Sequence, residues 1–204
     1  MNKNIIDFYL AASNLKSTVR TGWQEVGIPS DKVESVADHI CGCLILTVGL
    51  LSEKEYSNLD LNKIMEMLLV KELCKSVTNE QSITSKEDKK AANEAAVKSI
   101  LAPLKRKDEL FALYEEANAN ETHEAQFVQK VAKLESDLQA KKYELQGDFK
   151  LEAAKADVAN YPSDLANEIL PQVKKASDGW LLFDRRYYGD DEVFVSLSKD
   201  IQDL

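Results

Sequence analysis

Apolar residues recur three or four positions apart along most of this chain, and such spacing predicts amphipathic helices. Three stripes of this kind occupy the first third: Ile5, Ile6, Tyr9 and Leu10; Val33, Val36, Ile40, Leu44 and Val48; and Leu61, Ile64, Met65, Leu68, Leu69 and Leu73. Pro29-Ser30 separates the first two stripes, and the polar segment 52–58 precedes the third. No segment shows the two-residue alternation of a strand, so the sequence predicts an all-α fold.

The second half of the chain continues this helical pattern, with capping residues at several starts. The predicted helices are Ser85 to Leu101, with Ser85 as N-cap and Asp88 at the capping-box position; Asp108 to Ala117; Thr122 to Leu145, with Thr122 as cap; one beginning at Pro162-Ser163-Asp164; and Glu192 to Ile201. We expect a single domain over residues 1–204, with a core of about 5–145 and a C-terminal extension of about 146–204.

Composition and charge narrow the class of protein. The chain has 204 residues, 44% hydrophobic and 30% charged, which is typical of a folded protein with a sizeable core. Its first thirty residues contain no long apolar run, so we expect a cytoplasmic protein without a membrane span. The net charge of −9 argues against general nucleic-acid binding, because that affinity comes mostly from Lys and Arg. The negative net charge is compatible with a small anionic ligand bound in a local basic pocket.

The three cysteines do not have the spacing of a zinc or redox site. Two of them form Cys41-Gly42-Cys43 within an apolar segment, and none belongs to a C-x-x-C pair. We therefore expect reduced thiols in the core.

Four local patterns bear on function. They are Leu15-Lys16-x-x-x-Arg20-x-x-Trp23; Glu34-Ser35-Val36-Ala37-Asp38-His39; Met67-Leu68-Leu69-Val70-Lys71-Glu72-Leu73; and Glu124-Ala125-x-Phe127-Val128-x-x-x-Ala132-Lys133-Leu134-Glu135. In this order and spacing, the chain resembles the HD-domain phosphohydrolases that include the 5′-deoxynucleotidases, over about residues 5–145. The resemblance is greatest to a branch with His-Glu in place of His-Asp, and it implies an HD-domain helical bundle.

The resemblance also implies a divalent ion in the middle of the bundle. The family holds this ion with a His, a His-Asp or His-Glu pair and a later Asp, so that two carboxylates neutralise it. The ion then polarises a phosphate and activates a water. A further acid assists proton transfer, and an Arg near the N-terminus meets the substrate phosphate.

Some of these positions keep residues that suit the family's chemistry. His39 stands at the first ligand position and Glu72 at the carboxylate of the pair, so these two are the candidate metal ligands. Arg20 and Trp23 stand where the family contacts the phosphate and the sugar or base, and with Lys71 they are the candidate substrate-binding residues.

The remaining positions have been replaced. Lys71 stands for the second His, Ala132 for the final Asp, Lys75 for the assisting acid and Asn79-Glu80 for Gly-Asp. Glu72 and Lys75 thus occupy catalytic positions of the family, but we assign no catalytic residue. His123 lies on the opposite face of the helix from Ala132, about 13 Å along the axis, and cannot substitute. Glu80 and Glu135 are the nearer substitutes.

The charges suggest what replaced the ion. With His39 neutral, the charges of His39, Lys71, Glu72 and Ala132 sum to zero without any metal. The charges of the family's ligands sum to zero only when the divalent ion is included. We hypothesise that the Lys71 ammonium occupies part of the metal cavity, paired with a carboxylate such as Glu72 or Asp38. A divalent ion about 4 Å from that ammonium would be repelled by roughly 8 kcal/mol at an effective dielectric constant of about 20.

Simpler interpretations exist for several of these residues. Arg20 and Trp23 would also suit an interhelical ion pair and a core aromatic residue, and the aromatic cluster from Trp180 to Tyr188 suits packing better than recognition. Lys71 and Lys75 would ordinarily be solvated charges on one helix face.

Three functions remain open from the sequence. The leading one is a pseudoenzyme that binds a nucleotide or another phosphate-containing molecule and needs no cofactor. The second is an active hydrolase of nucleoside monophosphates with Mn, Co, Zn or Mg held by His39, Glu72 and either Glu80 or Glu135. The third is a protein-interaction module on the same scaffold. By analogy, the chain could also form a homodimer.

Overall fold

The computed structural model describes residues 2–78 and 86–204, and most of these residues are helical. Within those ranges, the β-type pairing is confined to an isolated antiparallel bridge between Val19 and Ser35. The predicted all-α fold is confirmed. No described helix combines the length and apolar character that crossing a membrane would require.

Twelve α-helices lie within the described residues. In chain order they are α1 (Asn2–Ala12), α2 (Thr21–Glu25), α3 (Val36–Leu50), α4 (Leu61–Glu72), α5 (Lys75–Thr78), α6 (Lys86–Leu101), α7 (Lys107–Ala119), α8 (His123–Leu145), α9 (Leu151–Ala159), α10 (Ser163–Ile169), α11 (Asp178–Asp184) and α12 (Glu192–Asp203). Short 3-10 turns occupy Ser13–Lys16, Lys54–Tyr56, Leu170–Gln172 and Arg185–Tyr187.

Local capping explains several helix boundaries. Thr122, the predicted cap of α8, accepts a hydrogen bond at Oγ1 from the Ala125 amide (3.3 Å). α7 ends at Ala119, and the next residue, Asn120, has a φ of 57°, the left-handed conformation that often terminates helices. The predicted cap Ser85 lies outside the described residues.

The described chain falls into two compact units, Met1–Arg20 with Glu34–Gln129, and Thr21–Val33 with Lys130–Leu204. In the first unit, α4 packs against α3 and α7, and α6 packs against α7. Its core consists mainly of aliphatic side chains: Leu15, Val36, Ile40, Val70, Leu73, Val97, Ile100 and Leu101.

The second unit has a more aromatic core. One cluster is formed by Trp23, Val26, Ile28, Ala140, Tyr143, Phe149, Ala154 and Ala176, and another by Val158, Leu165, Ile169 and Val173. Phe183 lies between Tyr161 and Tyr187, with ring centroids 5.0 and 5.8 Å away. The packing interpretation of the Trp180 to Tyr188 cluster fits these contacts.

Not every apolar residue that indicates a helix faces the core. Ile5, Ile6, Tyr9 and Leu10 of α1 are each more than half exposed. The three cysteines are free thiols, but Cys41 is exposed, so the prediction of a core position is wrong for this residue. Helical spacing locates a stripe of apolar residues on a helix; which other element covers that stripe depends on the tertiary packing.

Candidate functional site

His39 lies near the start of α3, which a capping box fixes in place. Ser35 Oγ accepts a hydrogen bond from the Asp38 amide (3.1 Å), and Asp38 Oδ2 accepts one from the Ser35 amide (2.8 Å). His39 itself is buried, and the Cys43 sulfur one turn later lies 3.7 Å from its Nε2. The Asp38 carboxylate, named from the sequence as one alternative partner for Lys71, thus caps its own helix.

Glu72 ends α4 and forms an ion pair with Lys75, the first residue of α5. The Lys75 ammonium nitrogen lies 2.9 Å from Glu72 Oε2, and the Glu72 side chain is only 12% exposed. Burial alone would raise the pKa of Glu72, but the charges of Lys75, His39 and Lys71 and the Lys75 hydrogen bond outweigh burial and lower the pKa to about 2. At neutral pH, Glu72 is therefore a carboxylate compensated by a lysine of the same chain.

Lys71 is partly buried near the end of α4, and its charge contributes to the low pKa of Glu72. The sequence hypothesis named Lys71 as the ammonium group beside Glu72. The structure adds a second ammonium group, that of Lys75, which makes the contact described above. The structure thus pairs Glu72 with Lys75, and the charges of His39 and Lys71 act on the same carboxylate within the first unit.

Arg20 forms an ion pair with Glu34, just before α3. The two side chains are 15% and 7% exposed, and the Arg20 amide also donates a hydrogen bond to the Glu34 carbonyl (3.1 Å). This connection runs beside the Val19–Ser35 bridge. The guanidinium thus has an internal carboxylate partner, as in the ion-pair interpretation; its contact with a substrate phosphate stays a prediction.

Trp23 is buried in the second unit, with 1% of its surface exposed. Its indole stacks on Trp180 at a centroid distance of 4.2 Å and meets the edge of Tyr143 at 5.3 Å. These contacts are those of a core aromatic residue, the simpler interpretation of the sequence. A contact of Trp23 with a sugar or base stays a prediction.

The other positions named from the sequence lie on α8 or outside the described residues. Glu135 is buried on α8 and belongs to the second unit, while Ala132 on the same helix is partly exposed. His123 is exposed at the start of α8. Glu80 lies outside the described residues.

Comparison with known proteins places the chain in a family. The model of the HD domain matches residues 12–174. The chain belongs to the HD-domain family. The resemblance recognised in the sequence patterns is thereby confirmed, and this HD-domain protein is phosphohydrolase-like.

Named relatives and solved structures agree with this assignment. A 5′-deoxynucleotidase of Dictyostelium discoideum is 32% identical over 153 residues, which span 70% of this chain and 79% of that protein. A 5′-deoxynucleotidase of Bos taurus is 29% identical over 147 residues, or 70% and 69% of the two chains. A Pyrococcus horikoshii crystal structure covers 95% of this HD-domain chain and 98% of its own, with 26% identity and a TM-score of 0.64.

Sequence reasoning overlooked two contacts of this site. Lys75 follows Glu72 by three residues, a spacing at which side chains on a helix meet, so that pair could have been proposed. Glu34 lies fourteen residues after Arg20, and no spacing rule connects such positions. Their contact depends on how the chain returns from α2 to the start of α3.

Proposed function

We propose that this HD-domain protein binds a nucleotide-type anion without metal-dependent hydrolysis, and that lysine ammonium groups take the place of the divalent ion. The observation that carries the proposal is the contact of 2.9 Å between Lys75 Nζ and Glu72 Oε2. Glu72 is the carboxylate that the family pattern assigns to the ion. A metal at this carboxylate would have to compete with an ammonium group that is already paired with it.

The summed charge of the site supports the same conclusion. Apart from His39, Lys71 and Lys75 contribute two positive charges and Glu72 one negative charge, which gives these three residues a net charge of +1. A divalent ion would raise this to +3, whereas the family's set of ligands is neutral with its ion bound. These residues therefore do not fit a divalent cation, and their positive charge favours an anion such as a phosphate.

The relatives support a second candidate, because proteins similar to this chain bear the name 5′-deoxynucleotidase. In that case, the chain would hydrolyse nucleoside monophosphates with Mn, Co, Zn or Mg bound by His39, Glu72 and either Glu80 or Glu135. The two candidates differ in whether Glu72 contacts a metal or a lysine during function.

Metal analysis distinguishes them. We expect the purified protein to contain no stoichiometric metal and to show no saturable binding of Mn, Co or Zn by isothermal titration calorimetry at neutral pH. Phosphate release from deoxynucleoside monophosphates should stay at background with each metal. Hydrolysis that is abolished both by chelation and by Glu72→Gln, but not by Glu66→Gln on the same helix, would establish the metal-dependent enzyme instead.

Ligand binding is tested separately by thermal shift. We expect 2′-deoxyadenosine 5′-monophosphate to raise the melting temperature, whereas 2′-deoxyadenosine, which has no phosphate, should have little effect. Lys71→Gln should reduce the shift, because it removes a positive charge from the site. Lys54→Gln, at an exposed lysine, is the matched control. If no deoxynucleoside monophosphate stabilises the protein, the nucleotide part of the proposal fails and the interaction module is favoured.

A further inference from the structure

A cavity of about 280 Å³ lies within the second unit, and none of the candidate site residues lines it. Aromatic rings of Tyr161, Trp180 and Phe183 form part of its wall, and the carboxylates of Glu25, Asp157 and Asp184 form another part. Cavities of roughly this size accommodate small ligands or single side chains. The combination of rings with acidic groups indicates which chemistry such a ligand would have.

The indole of Trp180, a lining residue of this cavity, carries an unused hydrogen-bond donor. One face of its indole stacks on Trp23 at 4.2 Å, which fixes the ring. Its Nε1 is buried and has no hydrogen-bond partner among the described residues. A buried donor without a partner is unfavourable, and an acceptor atom on a ligand would satisfy it.

The charges around the cavity are unequal. Lys133 is the cation in its lining, and its ammonium nitrogen lies 2.9 Å from Asp184, so these two charges compensate each other. The other two acids of the lining are Asp157 and Glu25. Asp157 accepts a hydrogen bond from the Tyr161 hydroxyl (3.2 Å), and burial together with the nearby Glu25 carboxylate raises the pKa of Asp157 despite that bond. A positive charge between these two acids would relieve their repulsion.

Lys133 shows that the aromatic side chains here accept an ammonium group. Its nitrogen lies 4.5 Å from the centroid of Tyr187 and 5.6 Å from that of Phe183, within the range of cation–π interactions. Within the protein, the Lys133 ammonium group contacts the rings of Phe183 and Tyr187. Tyr161 and Trp180 provide further aromatic surface in the cavity lining.

We propose that this cavity binds a small organic cation, a protonated or methylated amine that also carries a hydrogen-bond acceptor. Asp157 and Glu25 compensate its charge, Trp180 and Tyr161 contact it through their rings, and the Trp180 N–H donates to its acceptor. The inference does not rest on the proposed nucleotide site, because Lys71, Glu72 and Lys75 lie in the first unit and outside this cavity.

Choline is a suitable probe, because it combines a quaternary ammonium group with a hydroxyl oxygen. The matched control is 3,3-dimethyl-1-butanol, which has the same shape and no charge. The chain contains two tryptophans, so a ¹H–¹⁵N spectrum shows two indole signals, and the Trp180→Phe variant identifies the one from Trp180. We expect choline to shift that signal in a saturable way and the neutral alcohol to leave it in place.

Variants of the two acids test the recognition of charge. Asp157→Asn should weaken choline binding about tenfold, the size of a charge-assisted interaction in a partly buried site. Glu25→Gln, at an exposed position, should weaken binding without loss of the fold, so it keeps the test decisive if Asp157→Asn unfolds. Glu152→Gln, an exposed acid on the same helix as Asp157 and outside the cavity lining, should bind as the wild type does.

Three results would overturn the proposal. One is the absence of any shift of the Trp180 indole signal with choline or tetramethylammonium up to roughly 10 mM, a range in which cation–π sites bind. Another is an equal shift with 3,3-dimethyl-1-butanol, which would make the cavity merely apolar. The third is a shift with 2′-deoxyadenosine that is indifferent to Asp157→Asn, which would make the cavity a base-binding site.

Discussion

A Trp23→Ala variant is expected to lose about 3–5 kcal/mol of its free energy of unfolding, the usual cost of removing a buried aromatic side chain. Trp23 is 1% exposed, and it packs against Trp180 and Tyr143 at once. Its removal would leave a cavity between two aromatic partners that no neighbouring side chain can fill by a simple change of rotamer. Urea unfolding followed by circular dichroism measures the loss.

The controls separate packing from ligand recognition. Trp23→Phe keeps a ring beside Trp180 and should lose less stability than Trp23→Ala. Tyr187→Ala, at a residue that is 43% exposed, should also cost less. If Trp23→Ala lost under about 1 kcal/mol while it abolished the thermal shift with a nucleotide, the contact with a sugar or base would be the main role of Trp23.

Replacing Lys75 with methionine should lower the free energy of unfolding by about 1–3 kcal/mol, because it removes the ammonium group beside the nearly buried Glu72 carboxylate. The Lys75 side chain is 28% exposed, so water compensates part of the loss. The double variant Glu72→Gln/Lys75→Met should be more stable than Lys75→Met alone, since no buried charge is then left without its partner. Lys90→Met is the matched control: Lys90 is 78% exposed and 3.9 Å from Glu94, so its loss should cost little.

The same ion pair predicts a dependence on pH. The pKa of Glu72 in the folded protein, about 2, lies below its ordinary value of 4.5. The stability that this carboxylate contributes is therefore fully present above pH 4.5 and is lost as the pH falls through about 2. We expect the difference in unfolding free energy between the wild type and Glu72→Gln to decrease over this range. A difference that does not change between these pH values would show that the Glu72–Lys75 contact adds nothing to stability.

Capping and periodicity predicted the helices because both act between residues a few positions apart. The Thr122 cap of α8 is a local feature of this kind, and it was found where the sequence indicated. The family could also be recognised from the sequence, since its motifs are short patterns in a fixed order.

Contacts between residues far apart in the sequence could not be predicted in this way. The partner of Arg20 is Glu34, and the partner of Trp23 is Trp180, more than a hundred positions later. The exposure of α1 and of Cys41 also followed no rule of spacing. Each of these outcomes depends on which helix faces which, and hydrophobic periodicity leaves that choice open.

The charges of Lys71, Glu72 and Lys75 were determined by the sequence alone, because residue type fixes charge. The tertiary structure decided which ammonium group contacts Glu72 and how strongly the surroundings shift the pKa of that carboxylate. The physical reason is that electrostatic interactions vary with distance and burial, and these two quantities exist only once the chain has folded.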